Sequence, residues 1–185
     1  LPERLDAANA LEQVRRYDLI VDGSDNFPTR YVVNDACVLA GKPFVHGGVI
    51  EFEGQVMTVL PGRGPCLRCV FPEPPPVGAV ASCQEAGVLG SVAGILGTLM
   101  AHEALKWLLG VGDPITNRLL VFDGKASRFR EVPVRRDPGC AVCGERPTIR
   151  DVVDPAQAAD LSGGAGCRPP WDVVGDATGL PKGAP

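Results

Sequence analysis

The sequence is poor in histidine and carries no excess of basic residues. Its 22 aspartates and glutamates outnumber its 18 lysines and arginines, so the formal net charge is −4, and it has only two histidines. This charge argues against nucleic acid or an anionic membrane as the main partner. His46 and His102 have no partner at metal-ligand spacing and complete no Ser-His-Asp order. We therefore expect structural or solvated roles for both histidines.

No secretory signal is visible, since the opening residues are charged and no positive segment is followed by an apolar one. We therefore expect a cytoplasmic protein, and its odd number of cysteines, seven, favours metal binding or catalysis over disulfides. The first residue is Leu1 rather than Met, and a predicted strand follows soon after it. We expect the chain to be the later part of a longer protein.

The sequence also has no apolar run that reaches membrane-spanning length. Its longest apolar stretch, residues 87–101, falls short of the roughly 18 to 20 residues that a transmembrane helix needs. Residues 84–109 predict one long helix, in which glycines recur every three or four positions from Gly87 to Gly97. Such spacing lets another element pack closely along one side. We expect a core helix or a helix at a dimer contact.

The elements that are present follow the order of an α/β domain. Residues 27–40 predict a helix, with Pro28 in its first turn and Gly41 at its end. Short apolar, β-branched runs predict strands at residues 17–21, 43–49 and 54–60, and a hairpin is predicted at residues 118–123 and 127–134. Strand, helix and strand at this spacing form a βαβ unit, so we predict a mainly parallel sheet with flanking helices. Gly47 and Gly48 predict a bend or a close approach within the second strand.

Composition divides the chain into two parts. Residues 1–154 are predicted to form the folded domain, in which residues 61–80 have the composition of a loop. After Asp154 the composition shifts, and ten of the 23 residues from 163 to 185 are glycine or proline. Residues 155–185 are therefore predicted to be a disordered tail.

Four of the cysteines occur as two C-x-x-C pairs, Cys66 with Cys69 and Cys140 with Cys143. Two thiolates on a tight turn can occupy two corners of a tetrahedron, and two such turns complete a four-cysteine zinc site. The 70 residues between the pairs exceed the spacing of a compact zinc ribbon, so such a site would join distant parts of the chain. The alternatives are two independent reduced pairs or a redox C-x-x-C.

Cys83 stands apart from these pairs, at the predicted start of the long helix. The positive end of the helix dipole lowers the pKa of a thiol in this position and favours a nucleophile able to form a thioester or persulfide. The alternative is a cysteine that only fills space. Cys37 is predicted to lie in the core, and Cys167 lies in the predicted tail.

Asp22 and Asp25 follow the first predicted strand. Open α/β sheets bind ligands at the carboxyl ends of their strands, and a carboxylate there can hold Mg²⁺ or orient a phosphate-bearing substrate. The alternative is a helix cap, a role that either Asp25 or Asn26 could serve in front of Phe27 and Pro28. The two roles are compatible.

Several motifs occur in an order that one family shares. They are the D-x-x-D-N-x-x-x-R stretch at residues 22–30, Gly47-Gly48, Glu53-Gly54-Gln55-Val56, the two C-x-x-C pairs, Cys83 with Glu85-Ala86-Gly87-Val88, and Phe129-Arg130-Glu131. Over roughly residues 15–150 the sequence thereby resembles the MoeB/ThiF group, adenylyltransferases that activate ubiquitin-like sulfur-carrier proteins. Many motifs in one order are more specific than any single motif.

The resemblance implies a partial Rossmann-like sheet and a zinc site formed by both cysteine pairs. It implies that Asp25 supports magnesium and ATP, with Asn26 beside it in the nucleotide site. Cys83 matches the cysteine that, in several members, is linked to the carrier or takes part in sulfur transfer. The implied partners are a MoaD- or ThiS-like carrier and a second copy of the chain in a homodimer. ATP would convert the carrier's terminal carboxylate into an acyl-adenylate, and sulfur would then displace AMP, in molybdopterin, thiamine or related biosynthesis.

The sequence departs from the family upstream of residue 22, where members carry a G-x-G-x-x-G phosphate loop, a ribose-binding acidic residue and catalytic Arg and Lys residues. This departure leaves a second function open, a non-catalytic, zinc-stapled module that binds the carrier. A third is a thiol-disulfide oxidoreductase that uses one C-x-x-C pair.

Overall fold

The computed structural model describes residues 3–75 and 86–154. The elements of this part of the chain are α1 (Ala10–Arg15), β1 (Ile20–Asp22), α2 (Phe27–Ala40), β2 (Phe44–Ile50), β3 (Glu53–Val59), α3 (Leu67–Val70), α4 (Gly90–Leu109), β4 (Arg118–Asp123) and β5 (Arg128–Pro133). The sequence pattern did not predict α1. The predicted tail, Cys83 and Cys167 lie outside the described residues.

The five strands form one mixed sheet in the order β1-β2-β3-β4-β5. β1 and β2 are parallel, which confirms the βαβ unit, but the three remaining pairings are antiparallel, so the prediction of a mainly parallel sheet is wrong for the described strands. The reason is the short connection through Glu51 and Phe52 from β2 to β3. A connection of that length can only reverse the chain, because a parallel pair needs a crossover. The hairpin of β4 and β5 is confirmed.

Helix α2 forms where the sequence predicts it because both of its ends carry local signals. The side chain of Asn26 accepts a hydrogen bond from the Thr29 N–H at 2.9 Å, and Pro28 lies in the first turn. Gly41 ends the helix in the left-handed conformation, with a φ of 67°. The buried face of α2 packs against β1 and β2 in the larger of two apolar clusters.

Helix α4 covers the opposite face of the sheet and begins at Gly90, several residues later than predicted. Gly87, with a φ of 78°, and Leu89 instead exchange backbone hydrogen bonds with Glu51. A Cβ on Gly47 would lie 2.1 Å from the Met100 sulfur, so the predicted close approach is confirmed. By length and composition alone α4 could cross a membrane. One of its faces nevertheless packs on the sheet, as a core helix does.

Candidate metal centre and carboxylate loop

The two C-x-x-C pairs meet in space. The Sγ atoms of Cys66 and Cys140 are 3.6 Å apart, those of Cys69 and Cys143 are 3.4 Å apart, and those of Cys66 and Cys69 are 4.0 Å apart. All four sulfurs lie within 4.8 Å of one another. We call this group the four-cysteine cluster.

The spacing of the sulfurs fits one bound metal ion. Four ligands at the usual zinc–sulfur distance of about 2.3 Å form a tetrahedron whose corners are about 3.8 Å apart. The observed separations of 3.4 to 4.0 Å bracket that value, whereas a disulfide needs about 2.05 Å. The four cysteines are free thiols. The cluster therefore favours a tetrahedral thiolate site for zinc over the redox hypothesis.

Local turns hold each half of the cluster. The Cys69 N–H donates to the Cys66 carbonyl at 3.0 Å, and the Gly144 N–H donates to the Cys140 carbonyl at 3.0 Å. A Cβ on Gly144 would lie only 2.4 Å from that Cys140 oxygen, so glycine is required at this turn. Across the cluster, the Asp137 N–H donates to the Cys69 sulfur at 3.4 Å. Such N–H···S contacts stabilise thiolate ligands.

The four sulfurs share their protons unequally. Hydrogen bonding to neighbouring sulfurs raises the pKa of Cys66 above its ordinary value, and the largest contribution comes from Cys140. Hydrogen bonding from the other sulfurs lowers the pKa of Cys140, and the largest contribution comes from Cys143. The metal-free cluster therefore retains some of its thiol protons at neutral pH. A metal ion has to displace them, so metal binding releases protons and weakens as the pH falls.

A buried polar network lies directly behind the first cysteine pair. The Arg68 guanidinium binds both oxygens of the Asp35 carboxylate at 2.8 Å, and both side chains are almost fully buried. The Asn34 amide accepts the Leu67 N–H at 2.9 Å, and its nitrogen lies 4.0 Å from the Cys66 sulfur. Sequence reasoning missed this network. Its one visible signal was a charged residue inside a C-x-x-C pair.

The same network fixes the chain that leaves α3. Arg68 also donates to the carbonyl of Pro72 at 3.1 Å, and its guanidinium lies 4.7 Å from the centre of the Tyr31 ring. The Tyr31 hydroxyl lies 3.0 Å from the carbonyl oxygen of Phe71 and 2.6 Å from that of Glu73. Side chains of α2 thus hold the metal-binding turn and two of the three residues after α3, Phe71 and Glu73, while Arg68 of α3 holds Pro72.

The second candidate site is the loop between β1 and α2, and it separates the roles of the two predicted aspartates. Asp22 is the last residue of β1 and is buried, whereas Asp25 is exposed. The Asn26 side chain donates to the Asp25 carboxylate at 3.2 Å while it caps α2, which confirms the cap prediction for Asn26. Asp25 is therefore the carboxylate that a ligand could reach.

Two further side chains hold this loop, and one of them, His46, has the structural role expected for it. His46 on β2 lies 3.0 Å from the Asp22 carboxylate, and Arg30 donates two hydrogen bonds to the Ser24 carbonyl at 3.0 and 3.1 Å. Burial, the largest influence, raises the pKa of Asp22, but the hydrogen bond and coulombic attraction of His46, together with hydrogen bonds from Ser24, bring it below its ordinary value. Asp22 is thus an ionised internal support of the loop.

The metal centre and the carboxylate loop occupy different parts of α2. Asp25 precedes the first turn of the helix, and Asn34 lies eight residues beyond Asn26. At 1.5 Å per residue, about 12 Å of helix separates the two sites. The structure therefore does not bring Asp25 into the four-cysteine cluster.

The chain is similar in sequence to known proteins. The chain is 56% identical over 158 residues to the sulfur carrier protein adenylyltransferase of Thermus thermophilus, a match that covers 83% of this chain and 58% of that protein. It is 53% identical over 153 residues to the adenylyltransferase and sulfurtransferase MOCS3 of Bos taurus, covering 82% of this chain and 34% of that protein. The chain thus spans between about a third and three fifths of the length of these curated relatives.

Solved structures and a family model agree with these relatives. The crystal structure of E. coli MccB with ATP has a TM-score of 0.65 and 18% identity to this chain, with 77% of this chain and 45% of that chain covered. This likeness shows the fold. The model described as the ThiF family matches residues 1–142, which is more than half of the chain. The chain therefore belongs to the ThiF family.

Proposed function

We propose that this chain takes part in the ATP-dependent adenylylation of the C-terminal glycine of a ubiquitin-like sulfur-carrier protein. The observation that carries the proposal is the exposed Asp25 carboxylate at the capped N-terminus of α2. A helix N-terminus attracts phosphate, and a carboxylate beside it suits Mg²⁺, so the loop offers both parts of a magnesium–nucleotide site. The named activity of the relatives and the ATP complex of MccB support this assignment.

The chemistry assigns separate tasks to the residues. A carrier carboxylate is a poor electrophile until ATP converts it to an acyl-adenylate and pyrophosphate leaves. Asp25 would hold Mg²⁺, which supplies charge neutralisation at the phosphates when it is bound. Asn26 fixes the Asp25 carboxylate through its side-chain amide. We propose Cys83 as the thiol that attacks the acyl-adenylate, so that a thioester to the carrier's terminal glycine forms as AMP leaves and the thiol proton passes to solvent, in molybdopterin, thiamine or related biosynthesis.

We assign a structural role to zinc. Four thiolates fill a tetrahedral coordination shell and leave no open position for water or substrate. The cluster instead joins two parts of the chain with 70 residues between them. Among the described residues all five cysteines are free. Free thiols and a thiolate metal site both fit a reducing compartment such as the cytoplasm, which is the location we propose.

Carrier-dependent ATP–pyrophosphate exchange tests the proposed reaction. The chain is assayed alone and joined to the part of the Thermus thermophilus relative that it does not cover. We expect Asp25→Asn to lower kcat/KM about a hundredfold or more, the usual result of removing one electrostatic group from a reacting site. Asp18→Asn, at another exposed aspartate beside β1, is the matched control and should leave exchange unchanged.

One outcome would contradict the proposed reaction, and another would contradict the role given to Asp25. Exchange that is absent with every carrier would exclude adenylylation by this chain, and carrier binding without exchange would support the non-catalytic module instead. Exchange that survives Asp25→Asn would remove Asp25 from the site. Both variants should keep the unfolding temperature of the parent chain, because both side chains are exposed.

We further propose that the chain forms a homodimer through the outer face of α4. This face is apolar and exposed: Ile95 is 41% exposed, Leu105 is 54% exposed and Leu108 is 58% exposed. Unpaired apolar area of this kind marks an interaction surface. Light scattering should give twice the chain mass for the parent and the single mass for Leu105→Glu. Tyr17→Glu, at an equally exposed residue away from α4, should stay dimeric. A monomeric parent chain would contradict the proposal.

A further inference from the structure

The carboxylate loop rests on a buried pair of titratable residues, Asp22 and His46. They are register partners on the adjacent parallel strands β1 and β2. Their side chains are only 2% and 1% exposed, and Asp22 Oδ2 lies 3.0 Å from His46 Nδ1. They lie on the side of the sheet that α2 covers, where the buried Cys37 thiol is close enough to feel the charge of Asp22. Neither residue reaches solvent, so the pair itself binds no substrate.

The Asp22 carboxylate connects this pair to the loop. One oxygen contacts His46, and the other accepts the backbone N–H of Ser24 at 3.1 Å. On the other side of the same residue, the Ser24 carbonyl accepts two hydrogen bonds from Arg30. Ser24, the residue before Asp25, is thus held through both of its backbone polar groups.

The hydrogen-bond roles in this chain of contacts are determined by Asp22. An ionised carboxylate only accepts hydrogen bonds. The pKa of Asp22 lies below its ordinary value because, although burial is the largest single influence, the hydrogen bond and coulombic attraction of His46 and the hydrogen bonds from Ser24 together outweigh it. Nδ1 of His46 must therefore carry a hydrogen and donate it. If that donor is removed, one oxygen of a buried carboxylate loses its hydrogen-bond partner. This loss favours rotation of the Asp22 side chain away from Ser24.

We propose that His46 is a positioning residue for Asp25. Its Nδ1–H fixes the Asp22 carboxylate, the carboxylate fixes the Ser24 backbone, and the loop then presents Asp25 at the N-terminus of α2. The inference deepens the proposed function, and it rests on that function only for what Asp25 binds.

The first test concerns the loop and needs no activity. The chain has two histidines, so nitrogen-15 NMR of the imidazoles compares His46 directly with the exposed His102. We expect His46 to carry its hydrogen on Nδ1 and to show a one-bond coupling there. A neutral His46 protonated on Nε2 alone would overturn the proposal, and this measurement uses the parent chain without any substitution.

Two substitutions at His46 separate positioning from packing. His46→Leu fills a similar volume without a donor, whereas the amide nitrogen of His46→Asn can take the place of Nδ1. We expect the Leu variant to speed hydrogen exchange of the Ser24 amide about tenfold, the factor for one lost buried hydrogen bond, and the Asn variant to restore it. Thr58→Val is the matched control, because it removes the buried bond from Thr58 to Glu103 (2.9 Å) next to α4. Equal exchange at Ser24 in the Leu variant and this control would overturn the inference.

The exchange assay then connects the loop to nucleotide binding. We expect His46→Leu to raise the KM for magnesium–ATP about tenfold, with an unchanged KM for the carrier, and His46→Asn to reverse the effect. A general loss of folded protein would instead lower kcat and leave both KM values in place. A parent chain without exchange activity would sink the proposed function while leaving the NMR result to decide the role of His46. A loop that loosens with no change in KM would exclude positioning of Asp25 for nucleotide.

Discussion

Cys140→Ser is expected to abolish zinc binding and to unfold much of the chain. Structural zinc contributes about 10–16 kcal/mol of apparent binding free energy in small zinc-binding domains, and a whole domain has only about 5–15 kcal/mol of stability. Cys140 is a buried member of the cluster, and its sulfur lies 3.6 Å from that of Cys66. Elemental analysis should find one zinc per parent chain and almost none in the variant. Circular dichroism should show the loss of a cooperative thermal transition.

Cys37→Ala is the control for this result. Cys37 is a fully buried free thiol on α2 that is not part of the cluster. Its substitution removes one sulfur atom from the core and is expected to cost about 1–2 kcal/mol as a small cavity, with zinc fully retained. Stoichiometric zinc in Cys140→Ser, or lost zinc in Cys37→Ala, would contradict the assignment of the metal site.

Asp35→Asn is expected to destabilise the chain by about 3–5 kcal/mol, because it leaves the buried Arg68 guanidinium without its counter-charge. The Arg68 side chain is 1% exposed and that of Asp35 is fully buried, so water cannot replace the lost carboxylate. Urea unfolding monitored by circular dichroism measures the change. The double variant Asp35→Leu with Arg68→Met should recover much of the stability, since it removes both charges from the interior.

The matched control is the ion pair between Arg16 and Glu12, whose side chains are 55% and 69% exposed. Glu12→Gln should change stability by about 0–1 kcal/mol, the usual range for a surface pair. Equal changes in the free energy of unfolding at the buried and exposed pairs would show that the ion pair of Asp35 with Arg68 does not stabilise the chain as proposed.

The sequence predicted best where the signals are local. Helix α2 was predicted with its observed bounds because Pro28 and Gly41 mark its ends, and Asn26 caps it as proposed. The antiparallel pairing of β3 was missed because residues 51 and 52, Glu and Phe, are not typical turn formers, although Glu51 adopts a φ of 49°. The start of α4 was missed for a different reason. A glycine-rich helical pattern gives no warning that Gly87 turns out of the helix.

The candidate sites show the same division between local and distant information. Each cysteine pair was visible as a local spacing, but the joining of Cys66 to Cys140 depends on the path of the chain between them. Arg68 and Asp35 are 33 positions apart, and Asp22 and His46 are 24 apart. Such pairs depend on sheet register and helix packing, and the two partners lie too far apart in the sequence to belong to one local motif. The exposed Asp25 was predictable because it follows a strand.

Helix α2 connects the two sites as a rigid spacer, which fixes both the distance between them and their relative rotation about the helix axis. Asn26 fixes the helix at the carboxylate loop, and Asn34 and Asp35 fix it at the metal-binding turn. One residue inserted between these points would lengthen the helix by about 1.5 Å and rotate one end against the other by about 100°. Substitution can therefore change the exposed positions of α2 that make no such contact, but insertion or deletion within this segment would rotate the carboxylate loop against the metal-binding turn.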